Sequence, residues 1–374
     1  MTAGPASNMD VKRRNRINTL RCLLTCDHIS QMELSQRLGL SWPTVLQNVK
    51  ELSGLGLVQE AGSYASTGGR KARAYAPVRD AKLALGLDIT RGHVSAVLVD
   101  LGGRLMCSVR KACSFSLEDG YAQGLGELAR AFVRENGAED RLLGVGVSLP
   151  GIVTDGEKLL SASHILGVQD VPTAFFGRYI PWSCRFLNDA NAAGLAEVCG
   201  APDTGNLVYL ALSESVGGAI LNDGALYTGS HRRAGEFGHN TLVPGGRRCY
   251  CGKDGCLDAY CSSRVLAGYT GDSLEDFFAC LRMGDPQLEP VWQEYLEYLA
   301  VAVNNLHMSF DCDVIAGGYV GAYLEEFGGT LRPMLEERNT FQRDASYLRF
   351  CRYRLEAAAV GAALVQVEKF IQEV

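Results

Sequence analysis

Leu83-Ala-Leu-Gly-Leu-Asp88-Ile is followed by two more apolar runs, at 94–100 and 104–109, and the three runs predict consecutive β-strands. A hairpin at Leu101-Gly102-Gly103 joins the second strand to the third. A helix near 121–135 and a buried strand at 142–147 complete the unit. This order of strands and helix indicates one lobe of an actin-like, ribonuclease H-like α/β fold.

The same opening occurs a second time. Asn206-Leu-Val-Tyr-Leu-Ala-Leu212 is followed by a glycine-rich run at 217–224. The repeat predicts two similar lobes around a cleft, and the alanine-rich helix at the C-terminus is expected to return to the first lobe. We therefore predict three units: residues 1–80, residues 81–200 together with 356–374, and residues 201–355.

The first 80 residues have the periodicity of a winged helix-turn-helix. Apolar residues at helical spacing begin at Ile17, and Ser30 and Ser41 are each placed to cap a following helix. Gly39 would make the tight turn between those two helices. Two short strands around a glycine-rich loop at 61–71 would form the wing.

The third helix and the wing are expected to contact DNA. The helix would present polar groups to base edges in the major groove, and the wing would place basic groups in the minor groove. The predicted contact residues are Ser41, Trp42, Thr44, Gln47, Asn48, Lys50, Arg70 and Lys71. Residues 1–80 hold 11 Lys and Arg against 6 Asp and Glu, whereas the rest of the chain holds 25 against 36, as expected for a basic module that contacts a polyanion. The alternative is a winged helix that serves only in protein-protein contact.

Cys249-Tyr-Cys251-Gly-Lys-Asp-Gly-Cys256, ten residues after His239, predicts a closed Cys3His site. Three thiols and one imidazole at such short spacings favour a single structural zinc ion per chain. The alternative is a set of ordinary core cysteines, but this run is too compact for the interior of a strand or helix.

The sequence shows neither the pattern of a signal peptide nor that of a membrane-spanning segment. The N-terminal segment lacks the apolar region of a signal peptide, and no apolar run approaches the length of a membrane span. The chain has 13 cysteines without a pairing rhythm, which favours reduced thiols. We therefore expect a cytoplasmic protein with no membrane contact.

Several motifs together resemble the ROK family, which groups sugar-responsive bacterial repressors with sugar kinases. The resemblance runs from about Ile17 to the C-terminus, and its zinc loop and Glu-x-Gly-His are specific. The motifs that carry it, after the winged helix, are Pro150-Gly151, Phe186-Leu-Asn188-Asp189-Ala-Asn191-Ala, Gly235-Glu236-Phe-Gly238-His239, the cysteine cluster and Ile315-Ala-Gly317-Gly318. The resemblance implies the transcriptional-repressor branch, since the kinases of the family lack the winged helix.

The resemblance also implies a sugar site and argues against catalysis. Its members would be Asn188, Asp189, Glu236, His239 and Asp258, the last at a position where the family normally has glutamate. Asp189 matches the kinase base, but the two phosphate-binding turns differ from those of the kinases. They have become Asp88-Ile-Thr90-Arg91-Gly92-His93 and Ser213-Glu214-Ser215-Val216-Gly217-Gly218-Ala219. Glu214 would repel phosphate, so we expect Asp189 to accept a sugar hydroxyl and no residue to be catalytic.

The predicted function is a DNA-binding repressor of carbohydrate-metabolism genes, controlled by a sugar or sugar derivative in the cleft. A homodimer or homotetramer would bind an inverted repeat in double-stranded operator DNA. Two alternatives stay open: an ATP-dependent sugar kinase that carries a DNA-binding arm, and a DNA-binding scaffold controlled by a protein partner.

Overall fold

The computed structural model describes residues 8–63, 73–154, 156–199 and 205–374. Three helices and a small sheet with strand order β1-β3-β2 form the N-terminal unit. The elements are α1 (Asn8–Leu24), β1 (Ile29–Ser30), α2 (Gln31–Leu38), α3 (Trp42–Gly54), β2 (Val58–Ser63) and β3 (Arg73–Pro77). The predicted wing residues Arg70 and Lys71 lie outside the described residues.

The caps of α2 and α3 are those expected from the sequence. The Ser30 hydroxyl accepts a hydrogen bond from the Glu33 amide, and the Glu33 carboxylate accepts one from the Ser30 amide, so the two form a capping box. Gly39 ends α2 with φ 62°, and the Ser41 hydroxyl accepts a hydrogen bond from the Thr44 amide. These local signals fix the angle between α2 and α3.

The first lobe is built on a five-stranded sheet with order β11-β7-β4-β5-β6. Strands β4, β5 and β6 are antiparallel neighbours, whereas β4, β7 and β11 run parallel. The elements are β4 (Leu83–Ile89), β5 (His93–Asp100), β6 (Leu105–Ala112), α4 (Asp119–Glu135), β7 (Leu142–Leu149), β8 (Ile152–Thr154), β9 (Leu159–Ser163), β10 (Val168–Pro172), α5 (Ala174–Gly177), β11 (Cys184–Asn188) and α6 (Asp189–Val198). Strands β8, β9 and β10 form a separate small sheet.

The second lobe contains another five-stranded sheet, with order β14-β13-β12-β15-β16. Its elements are β12 (Leu207–Leu212), β13 (Val216–Asn222), β14 (Ala225–Leu226), α7 (Asp258–Cys261), α8 (Ser263–Ala267), α9 (Leu274–Arg282), α10 (Glu289–Phe310), β15 (Asp313–Gly317), α11 (Gly318–Phe327), α12 (Leu331–Arg338) and β16 (Leu348–Phe350). The predicted α/β fold class, a winged helix-turn-helix followed by a two-lobed body, is confirmed. The residue limits of the three predicted units stay a prediction.

The last helix, α13 (Ala357–Glu373), packs against the first-lobe sheet and crosses α6. A Cβ placed on Gly361 would lie 1.6 Å from the carbonyl oxygen of Ala192 in α6, and one placed on Gly146 in β7 would lie 1.8 Å from that of Ala362. Backbones this close tolerate only glycine, because a side-chain atom has no space to enter. We call this contact the α6–α13 crossing.

The N-terminal unit shares a continuous apolar core with α13. Leu20 and Leu23 of α1 belong to the same buried cluster as Ile371 and Val374. At the edge of this contact Arg21 pairs with Glu368. The winged helix is therefore packed directly onto the helix that crosses α6. Among the described residues, no helix combines the length and hydropathy needed to cross a membrane.

Candidate ligand cleft, metal centre and DNA-binding surface

A cleft of ≈ 520 Å³ opens between the two lobes. A cavity of this size can enclose a small organic ligand. The polar residues that line it include Glu157, His164, Arg185, Asn188, Asp189, Ser215, Arg232, Arg233, Glu236, His239 and Tyr250. Four of the five predicted sugar-binding residues are therefore brought to one cavity.

Asn188 and Asp189 stand where β11 ends and α6 begins. The Asn188 side-chain oxygen caps α6 by accepting a hydrogen bond from the Asn191 amide at 2.9 Å. Its side-chain amide donates to the Gly151 carbonyl at 3.1 Å and to the Asp189 carboxylate at 2.9 Å. The Asp189 carboxylate also accepts a hydrogen bond from the Ala190 amide. These bonds fix both side chains at the cleft without a ligand.

Carboxyl groups in the cleft have raised pKa values. Burial, with the nearby Asp88 charge as the second cause, raises the pKa of Asp189 to about 7. Burial also raises the pKa of Asp88 to about 6, although the Ser148 hydroxyl donates to its carboxylate. The pKa of Glu236 is raised by burial as well. Burial therefore disfavours the charged form of each of these three carboxyl groups.

Asp258, the fifth predicted sugar contact, does not line the cleft. Its carboxylate accepts a hydrogen bond from the Val216 amide at 2.7 Å and another from the Arg264 guanidinium at 3.2 Å, and the residue is 2% exposed. A buried carboxylate that satisfies a backbone amide and a guanidinium is held by these two partners. The prediction that Asp258 contacts a sugar is therefore wrong for this structure, and its role is to hold the turn at Val216.

The predicted metal ligands form one cluster. The ligand atoms of His239, Cys249, Cys251 and Cys256 all lie within 4.8 Å of one another. The sulfurs of Cys251 and Cys256 are 3.7 Å apart, close to the edge of about 3.8 Å expected for two thiolates on tetrahedral zinc. The His239 Nδ1 atom lies 4.0 Å from the Cys249 sulfur. The donor set and its spacing fit a metal ion.

Tyr250 is a cleft residue that the sequence reasoning did not single out. It stands between two thiols of the cluster, and its hydroxyl lies 3.4 Å from the His239 Nε2 atom. Its ring faces His164 of the first lobe at a centroid distance of 5.3 Å. The Cys-x-Cys spacing could have indicated this residue. A side chain between two ligands of one ion points away from that ion, and so toward another surface of the loop.

A second, smaller cavity lies beside the two predicted phosphate-binding turns. Thr90, Glu214 and Tyr319 are among the residues that line it, and its volume is ≈ 60 Å³. At the first turn the Thr90 amide donates to the His93 carbonyl, and the His93 amide donates to the Thr90 hydroxyl. At the second turn the Val216 amide donates to Asp258. These amide groups are already paired within the protein.

The predicted DNA-contacting helix exposes most of its predicted residues. Side chains of Ser41, Trp42, Gln47 and Lys50 are exposed, and Thr44 is half-buried. Asn48 is only 5% exposed, and its amide donates to the Thr19 hydroxyl of α1 at 3.0 Å. The prediction that Asn48 reads a base is therefore wrong, because this residue ties α3 to α1.

Fold and cleft together define a winged helix-turn-helix protein with a two-lobed body of the sugar-kinase type. The ROK family profile matches residues 84–368, and a winged helix-turn-helix DNA-binding profile matches residues 12–59. The chain belongs to the ROK family, as its motifs predicted.

Relatives of both branches are similar to this chain. The xylose repressor of Bacillus spizizenii is 25% identical over 313 residues, which cover 82% of each protein. The N-acetylmannosamine kinase of Salmonella paratyphi B is 30% identical over 301 residues, which cover 75% of this chain and 97% of the kinase. A crystal structure of a ROK family transcriptional regulator, a homologue of the E. coli MLC protein, aligns with 97% of this chain and 100% of its own at a TM-score of 0.73 and 24% identity. The kinase match thus covers 75% of this chain, whereas the regulator structure covers 97% of it.

Proposed function

We propose that this protein is a cytoplasmic transcriptional repressor that binds operator DNA through its winged helix and is controlled by a sugar in the inter-lobe cleft. The observation that carries the proposal is the path between the two sites. Asp189 opens α6 at the cleft, α6 crosses α13, and α13 shares a buried core with α1 of the winged helix. A ligand that moves α6 has a packed route to the DNA-binding unit.

The cleft chemistry supports a sugar as the effector. Asn188, Asp189, Glu236 and His239 offer donors and acceptors around one cavity, which suits a ligand rich in hydroxyl groups. A sugar hydroxyl that donates to Asp189 or Glu236 would favour the charged carboxylate that burial disfavours. The relatives named xylose repressor and N-acetylmannosamine kinase also support a carbohydrate ligand.

The nucleotide side supports a regulator over a kinase. At the turns that would bind phosphate, the amides of Thr90, His93 and Val216 are already paired within the protein, and Glu214 lines the adjacent cavity. We infer that Asp189 acts as a hydrogen-bond acceptor and that the protein is not an enzyme. We further infer that His239 and the three thiols hold one structural zinc ion, which would fix the loop that carries Tyr250 and the cleft edge of His239.

The DNA interface would consist of the exposed residues Ser41, Trp42, Gln47 and Lys50 and the half-buried Thr44. A homodimer or homotetramer would place two such helices on an inverted repeat, so a change in the spacing between them would cost several contacts at once. The excess of basic residues in 1–80, against an excess of acidic residues in the rest of the chain, supports DNA binding by the N-terminal unit.

Fluorescence anisotropy on labelled DNA from upstream of the protein's own gene tests the DNA-binding claim. Lys50→Ala should weaken binding and lower the salt dependence by about one phosphate contact. Lys111→Ala, which removes the same charge from an exposed position on β6, is the matched control and should bind as the wild type does. Equal loss in both variants would contradict a specific role for α3. Sugar-dependent ADP release in a coupled assay would contradict the absence of catalysis.

A further inference from the structure

Tyr250 occupies an unusual place between the metal cluster and the cleft. Its backbone is fixed on both sides by Cys249 and Cys251, yet its side chain lines the cavity and is 41% exposed. A large aromatic ring held on a rigid loop and open to a concave surface is a typical ligand-contacting element. Nothing in the packing of the core requires an aromatic ring at this position.

The contacts of Tyr250 span both lobes. In the second lobe its hydroxyl lies 3.4 Å from the His239 Nε2 atom, and Ser215 lines the same cavity. The ring meets the His239 ring edge-on at a centroid distance of 5.4 Å. On the other side of the cleft, His164 of the first lobe lies at a centroid distance of 5.3 Å. A ligand between the lobes must therefore pass or contact this ring.

The orientation of Tyr250 is further set by Arg264. The Arg264 guanidinium carbon lies 5.3 Å from the centre of the Tyr250 ring, and the same guanidinium donates to the buried Asp258 carboxylate. Asp258, which does not reach the cleft itself, thus contributes indirectly to where the ring stands. The result is a chain of contacts from Asp258 through Arg264 and Tyr250 to His239.

We propose that Tyr250 determines which sugar the cleft accepts; this inference rests on the proposed sugar-binding function. The phenol hydroxyl holds the hydrogen-bonding position at His239 Nε2, so a sugar hydroxyl must replace it or share it. The ring forms a wall against which a pyranose packs its C–H bonds. An axial hydroxyl on the face that packs against the ring would lose its water, so the cleft should favour pyranoses that present to Tyr250 a face free of axial hydroxyls.

Calorimetric titration of the full chain with D-glucose, D-xylose, D-galactose and D-mannose, within a broader panel of aldoses, tests this selectivity. The wild type should discriminate among the four sugars by about 3- to 10-fold, and the tighter binders should be those whose packed face carries no axial hydroxyl. Tyr250→Ala should weaken binding of the favoured sugars by a similar factor and make the four affinities nearly equal. Tyr250→Phe should keep the preference, since it keeps the ring, and should bind more tightly because His239 Nε2 loses a competitor.

Controls separate this role from a structural one. Tyr269→Ala removes another tyrosine, 57% exposed and outside the cleft, and should leave all four affinities unchanged. Metal content by mass spectrometry and the Tm should be those of the wild type in every variant. Unchanged selectivity in Tyr250→Ala would overturn the inference while leaving the sugar effector in place. Absence of binding to every aldose would instead remove the proposed effector, and with it this inference.

Discussion

The α6–α13 crossing and the inter-lobe cleft are joined by a single helix but are built in opposite ways. At the crossing, glycine allows backbone to meet backbone, and a Cβ on Gly361 would lie 1.6 Å from a carbonyl oxygen. One helical turn before Ala192, where α6 begins at Asp189, the cleft encloses ≈ 520 Å³ among polar side chains with raised carboxyl pKa values. A region without free space transmits displacement, whereas an open polar region adapts to a ligand. We therefore expect the cleft to bind the ligand and the crossing to transmit the resulting displacement.

The largest expected effect is a substitution at the crossing. Gly361→Ala should lower the free energy of unfolding by about 3 kcal/mol, because the new methyl group meets backbone that cannot rotate away. Gly124→Ala in α4 is the matched control, since a Cβ there has open space, and it should be neutral or stabilising by up to about 1 kcal/mol. Thermal unfolding measures both. A Tm that is equally unaffected in the two variants would show that the crossing is not tightly packed.

Removal of the metal cluster should have the next largest effect. Cys256→Ser, or chelation of the wild type, should lower the free energy of unfolding by about 2–3 kcal/mol. This is the stabilisation that a ligand gives when its concentration is about a hundred times its Kd. Mass spectrometry should find one zinc ion per wild-type chain and none in the variant. Cys113→Ser, at a half-buried cysteine outside the cluster, should retain both metal and Tm. An unaltered Tm in metal-free protein would remove the structural metal from the account.

A smaller effect is expected from the charge of Asp189 in the cleft, and its size depends on pH. The pKa of Asp189 is raised from its ordinary value of 3.8 to about 7, so the folded state binds more protons than the unfolded state between these values. Stability from this group is therefore lost as pH rises through that window. Asp189→Asn should be more stable than the wild type by about 1–2 kcal/mol at pH 8, less than the full shift implies because cleft water screens the charge, and equally stable near pH 4. Tm profiles against pH measure this difference, and a constant offset at all pH values would contradict it.

The smallest effect on stability is expected from a substitution in the ion pair at the exposed edge of the contact between α1 and α13. Arg21 and Glu368 form an ion pair there, with 44% and 53% of their side chains exposed. Glu368→Gln should change the free energy of unfolding by no more than about 0.5 kcal/mol, because exposed pairs are screened by water and salt. A loss of more than 2 kcal/mol in chemical denaturation would mean that charge, rather than the buried core, joins the winged helix to the body.

The features that could be predicted from the sequence are those formed by residues close together in the chain. The caps at Ser30 and Ser41 and the cluster of His239 with three thiols rest on short spacings, so they could be identified without the fold. Asn48 was assigned to the wrong face because its partner, Thr19, is distant in sequence.

Two residues in and near the cleft also depend on partners that are distant in the sequence. Asp258 was expected to contact a ligand, but its partner is the Val216 amide, 42 residues away in the chain. The Cys-x-Cys spacing pointed to Tyr250, but the approach of its ring to His164 of the other lobe could not be predicted from the sequence. Local signals thus predicted the elements and the metal ligands, whereas the direction of buried polar side chains was set by tertiary contacts that the sequence does not display.

The most direct test of the account is the affinity of the full chain for labelled upstream DNA, measured by fluorescence anisotropy without sugar and with a saturating aldose identified by calorimetry. Coupling through α6 and α13 predicts that the Kd for DNA changes at least 5-fold when the cleft is filled, the lower end of typical allosteric coupling. The same Kd with and without bound sugar would contradict the account, and control of this DNA-binding protein would then have to come from a protein partner.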